Sequence, residues 1–154
     1  MLAIASMWLL PDPAALHFGA DGAANGFASP AENSLAMIGF STLMAIVFIG
    51  TAYLMLVLPA SLINLPNKDY WLSEQRRPET MKKIAAFMDE MGIGTMAFFL
   101  LLQWEILQAN RLDPPRLSPN VMNVATVVLV AFLLIVTVRI LLAFRLPKNA
   151  DQPI

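Results

Sequence analysis

His17 is the only histidine of the chain, and it shares residues 11–34 with three carboxylates, Asp12, Asp21 and Glu32. An imidazole among carboxylates can ligate a metal, organise a turn, or face a partner and change charge near pH 6.5, roughly its unperturbed pKa. The spacing fits no zinc pattern, which sets Cys and His at short fixed intervals. The stretch therefore reads as a partner-binding surface without metal, with Asp12, His17, Phe18, Asp21, Gly22 and Asn25 as its contact residues. Glu105 is the second candidate, because it is the only acid inside a long apolar run. A carboxyl group at membrane depth is expensive and raises the expectation of function. Glu105 lies about 7.5 Å along a helix from Asn110, where water and headgroups reach. Gln103, Gln108 and Asn123 fall near the same depth, so a hydrogen-bonded structural acid is the first reading and a ligand or proton site the second.

Other chemistries are excluded by what the chain lacks. It has no cysteine, which removes thiolate catalysis, disulfides and iron–sulfur ligation. No GxSxG, HExxH or P-loop pattern occurs. Gly92-Ile-Gly94-Thr-Met-Ala97 formally fits GxGxxA, but no strand precedes it and it opens an apolar helix, so no dinucleotide is expected. The chain reads as non-enzymatic and without a cofactor.

The elements that must carry these residues follow from hydropathy. Of 154 residues, 58% are hydrophobic and 14% charged, against about 25% charged in soluble domains. A net charge of −1 offers no basic field for nucleic acid. The fold class expected is all-α: an integral membrane helical bundle with three full spans, an N-terminal half or truncated span, and an interfacial amphipathic helix. Residues 1–10 are apolar but cover only about 15 Å as helix, half of a hydrocarbon core. Residues 11–34, with Pro11, Pro13, Pro30 and several glycines, read as a loop. Residues 35–58, 92–109 and 121–144 read as spans. Residues 64–90 form a charged loop ending in an amphipathic helix, either on the membrane surface or packed against the ends of the bundle, with Met81, Ile84, Ala85 and Met88 on its apolar side.

Charge then orients the bundle. Residues 11–34 contain no Lys or Arg, whereas residues 64–90 contain Lys68, Arg76, Arg77, Lys82 and Lys83, and the C-terminal end adds Arg139, Arg145 and Lys148. The positive-inside rule puts the His17 loop outside, and the Trp71 loop and C-terminus in the cytoplasm. Tyr70 and Trp71 suit the aromatic belt at the membrane surface, and Arg139 suits a snorkelling position at the inner end of its span.

Two stretches are similar to a known family. Leu10-Pro-Asp-Pro-Ala-Ala-Leu-His17-Phe-Gly, continuing through Asp21, Gly22, Asn25 and Phe27, resembles the signature of a bacterial membrane-protein domain of unknown function. That domain also forms the N-terminal part of SdpI-type toxin-immunity proteins. Asn64-Leu-Pro66-Asn67-Lys-Asp-Tyr70-Trp71, followed by Arg76 and Arg77, resembles a cytoplasmic stretch found in one branch of these proteins. The resemblance implies a four-helix module in a bacterial inner membrane with no established chemistry. With it, the expected role is a binding module, whether sensor, immunity-like protein or accessory subunit. Its expected partners are the lipid bilayer together with a membrane-protein or peptide partner or a second copy. The alternative is a small transporter or channel component using Glu105.

Overall fold

The computed structural model describes residues 2–148. Three of its helices are long and apolar enough to cross a membrane: α2 (Pro30–Val57), α4 (Arg77–Ala109) and α5 (Pro119–Ala143). Each begins with proline in its first turn, Pro30, Pro78 and Pro119, where the missing N–H costs nothing and the fixed φ suits a helix. Ser29 closes the start of α2 with a capping box: its hydroxyl accepts from the Glu32 amide at 3.2 Å, and the Glu32 carboxylate accepts from the Ser29 amide at 2.8 Å. The short α1 (Leu2–Leu9) has eight residues, about 12 Å of helix.

α4 is the central helix, and two glycines show why. A Cβ at Gly92 would stand 3.1 Å from the Phe48 ring of α2, and a Cβ at Gly94 would stand 2.2 Å from the Phe132 ring of α5. Two residues are about 200° of helical turn, so these glycines admit α2 and α5 on opposite sides. The GxGxxA pattern is thus a packing device. Between its two ends the bundle is a thin layer, and α2 and α5 keep long apolar faces exposed, including Leu43, Ile46, Ile49, Val127, Leu134 and Ile135. Such surfaces suit lipid.

Two expectations are corrected. The chain is not wholly helical, because residues 11–34 hold a small antiparallel sheet of β1 (Ala14–Phe18) and β2 (Ala24–Ala28). The prolines forbid a helix here as expected, but strand pairing across a turn satisfies backbone that a free loop would leave to water. Nor is the amphipathic segment a separate surface helix. It is continuous with the following span in the 33 residues of α4, about 50 Å, so its first turns extend beyond a core of about 30 Å. No helix breaker stands between Met88 and Gly92, and the Met81 and Ile84 side is buried against residues 63–72 instead of lipid.

At that end the chain leaves α2 at Leu58, makes a 3-10 turn at Ala60–Leu62 and a single helical turn, α3 (Lys68–Trp71). Ile63, Leu65, Leu72, Met81, Ile84 and Phe144 form a buried cluster under this loop. A smaller cluster of Leu10, Ala14, Ile106 and Leu107 lies at the opposite end, beneath the hairpin.

Candidate functional site

The hairpin is fastened to the helix bundle at the edge of β1 and at its turn. On the free edge of β1, the Asn110 carboxamide pairs with the Ala15 backbone: Ala15 N–H donates to Asn110 Oδ1 and Asn110 Nδ2 donates to Ala15 O, each at 2.8 Å. One side chain at the end of α4 therefore acts as a single residue of a third strand and closes the edge. Asn110 Nδ2 also donates to Ile106 O at 2.9 Å, which anchors the carboxamide to its own helix. On the other edge the α4–α5 connector runs beside the turn. Ala23 forms an antiparallel bridge with Arg116, Leu117 N–H donates to Gly22 O at 2.9 Å, and Arg116 Nη2 donates to Asp21 O at 2.9 Å.

The turn has its own requirements. Gly22 sits at φ +82°, and a Cβ there would meet Leu117 O at 2.3 Å, so only glycine allows this approach. Asp21 Oδ1 accepts from the Ala23 amide at 3.1 Å and tightens the turn. Gly26 faces His17, whose Cβ would lie 2.8 Å from an added Cβ. Across this gap His17 Nδ1 and Asn25 Oδ1 form a hydrogen bond.

Of the residues expected to bind a partner, His17 and Asn25 come together at an exposed surface of the hairpin. Phe18 turns inward and packs on Leu10, Ala14, Ile106 and Leu107. Asp21 and Gly22 shape the turn. Asp12 is exposed, and Glu32 is engaged in the capping box, so the carboxylates do not converge on His17. Among the described residues no group of three His, Asp or Glu gathers to hold a metal.

The intramembrane polar set does not assemble. No hydrogen bond joins Glu105, Gln108 and Asn123; Gln108 Oε1 accepts from Arg111 Nη1 at 3.2 Å, and Asn123 is exposed on α5. Gln103 is on the other side of α4, two residues and about 200° from Glu105, and is buried.

The Tyr-Trp stretch is engaged within the protein. Asn67 Nδ2 and Trp71 Nε1 both donate to Phe144 O, at 2.9 Å each, and so satisfy a carbonyl at the end of α5. Arg77 Nη2 donates to Leu58 O at the end of α2, and Thr80 Oγ1 donates to Trp71 O at 2.8 Å. Arg76 lies over the Tyr70 ring, 4.0 Å from its centroid. Asn64 and Pro66 are exposed. Trp71 thus spends its indole N–H on a helix end, a role different from an aromatic belt. Arg139 pairs with Glu90 and ties α5 to α4, where lone snorkelling was expected.

Sequence reading missed Asn110, Arg116 and Leu117. Asn110 meets Ala15 across 95 residues, and nothing near it in the chain marks such a contact. No family model, no curated protein and no solved structure matches this chain.

Proposed function

We propose that this chain is a non-enzymatic membrane binding module, a sensor, immunity-like protein or accessory subunit of a bacterial inner membrane, which presents its hairpin outward to a membrane-protein or peptide partner. The observation that carries this reading is a hairpin held at β1 by Asn110 and at its turn by the α4–α5 connector while His17 and Asn25 stay exposed. Preorganised loops lose little conformational entropy on binding, which is why recognition residues sit on loops held by a rigid scaffold. The orientation rests on charge. Lys68, Arg76, Arg77, Lys82, Lys83, Arg139, Arg145 and Lys148 belong to the Trp71 end, and only Arg111 and Arg116 to the hairpin end.

Two measurements test this. In the cysteine-free protein, Ala20→Cys on the hairpin and Gln75→Cys near Trp71 should react with an impermeant thiol reagent from opposite sides of intact cells. Labelling of both from outside refutes the orientation. His17→Ala should leave the melting temperature within a few degrees, since its hydrogen bond is exposed, while reducing co-purification of the partner. A stable mutant that retains its partner removes His17 from the site.

A further inference from the structure

The rung of the hairpin that Asn110 closes on one side is open on the other. Ala15 and Phe27 face each other across the sheet. In an antiparallel pair, two facing residues either bond each other or turn their N–H and C=O groups away from each other. Both groups of Ala15 are bonded to Asn110, so those of Phe27 point outward from β2. Among the described residues no other backbone or side-chain group bonds them. This edge is filled on either side of the opening. Toward the turn, Ala23 pairs with Arg116 of the connector. Past the other end, the Ser29 amide donates to the Glu32 carboxylate at 2.8 Å. Exposed strand edges are ordinarily blunted by a proline, a charge or a cover. β2, Ala-Asn-Gly-Phe-Ala, has neither proline nor charge, and Phe27 is 55% exposed.

We propose that β2 takes up a short, basic, extended peptide as a third strand, one residue of which exchanges two main-chain hydrogen bonds with Phe27. This names the partner class for the hairpin and rests on the reading of that end as the binding end. The five residues Ala24–Ala28 separate the two fillings of the edge, and they set the length of the added segment. Charge selects its composition. Ala14 pairs with Ala28, so Asp12 and Glu32 stand at the same end of the hairpin. Both are exposed, and neither has an ion-pair partner among the described residues. A lysine or arginine of the peptide supplies the missing counter-charge. Beside the exposed Phe27 ring, a β-branched residue of the peptide makes the favoured cross-strand contact. A second copy of the hairpin does not fit. Antiparallel pairing about Phe27 would place Ala31 of one copy where Arg116 already pairs with Ala23 of the other, whereas a free peptide ends before that point.

The test uses the full chain in nanodiscs of neutral lipid and the end-blocked peptide Lys-Val-Ala-Val-Lys. Exchange of the Phe27 amide with water should slow about tenfold at a peptide concentration about ten times its Kd, with the Ala15 amide unchanged. The same peptide methylated on its central amide nitrogen should give no protection, and neither should Glu-Val-Ala-Val-Glu. Phe27→Pro removes the N–H at an edge, where a strand tolerates proline. It should keep the melting temperature within a few degrees and abolish the response. Phe27→Ala, which keeps the N–H, should weaken the response without abolishing it. Equal protection by the methylated or the acidic peptide overturns the proposal, as does no protection by any peptide. Protection that grows with protein concentration in the absence of peptide would mean a second copy and overturns it too. So does a Phe27→Pro protein that loses its fold, because the N–H would then be bonded within the chain. If the peptide fails while Ala20→Cys still labels from outside and His17→Ala still loses its partner, strand addition alone is refuted. Labelling of Ala20→Cys only from inside refutes the outward hairpin, whatever the peptide does.

Discussion

The two ends of the bundle solve the same problem in different ways. Backbone groups at helix ends and strand edges need partners where a membrane limits water. At the Trp71 end, long side chains reach back to helix carbonyls: Asn67 and Trp71 to Phe144 O, and Arg77 to Leu58 O. Six buried apolar residues, Ile63, Leu65, Leu72, Met81, Ile84 and Phe144, lie beneath them. At the hairpin end side chains clasp a strand edge and a turn instead of helix ends, Asn110 at Ala15 and Arg116 at Asp21, joined by the Leu117 N–H to Gly22 O bond, over a smaller cluster. The difference separates residues that are used up from residues that are free. Tyr70, Trp71, Arg76 and Arg77 all have partners within their end of the bundle, whereas His17 and Asn25 pair with each other at an exposed surface. A motif rich in aromatic and basic residues looks more functional in sequence, yet here it serves as a fastening.

The largest expected effect breaks the hairpin end. Asn110→Leu strands the amide and carbonyl of fully buried Ala15, at about 1–3 kcal/mol for each unpaired group. A loss of about 2–4 kcal/mol should appear in unfolding measurements, with faster amide exchange at Ala15 and unchanged exchange at Thr80. Faster exchange at both ends would mean that the two fastenings are one unit. Trp71→Phe sharpens the other side. It keeps an aromatic edge against the Phe144 ring, whose centroid lies 5.7 Å away, and removes one of two donors to Phe144 O. A cost of about 1 kcal/mol is expected, because Asn67 still satisfies that carbonyl. A loss several times larger would make the indole N–H the main fastening. The smallest effect is expected for Glu105→Gln, which keeps shape and removes charge at a half-buried position bound to neither end. Stability should stay within about 0.5 kcal/mol, and partner co-purification should be unchanged. Loss of function in folded protein would revive the transporter reading.

Much of the fold was legible from residue types. The run from Leu35 to Val57 carries no charge, which marks a helix that exposes apolar surface on every side. Pro59, Pro78 and Pro119 mark helix boundaries through the fixed φ and missing N–H of proline. The hairpin was less legible. Glycines and prolines announced the turns, but pairing with Asn110 and Arg116 depends on residues more than 90 positions away, each 95 in sequence from its partner. Continuity of α4 was missed because the apolar stripe of Met81 and Ile84 looks the same whether lipid or a loop covers it.

The sequence by itself determined that three segments are long and apolar enough to cross a membrane, that thiol chemistry lacks its cysteine, and that positive charge gathers at one end. Those properties are local, set by side-chain type and by runs of the right length. Only the tertiary structure decided which polar residues are spent and which are free. Hydrogen bonding is specific to pairs: Trp71 is engaged because Phe144 O lies 2.9 Å away, and Asn110 is engaged because the Ala15 backbone lies 2.8 Å away. No count of residues along the chain carries that information, since it arises only when the helices bring the two ends into place.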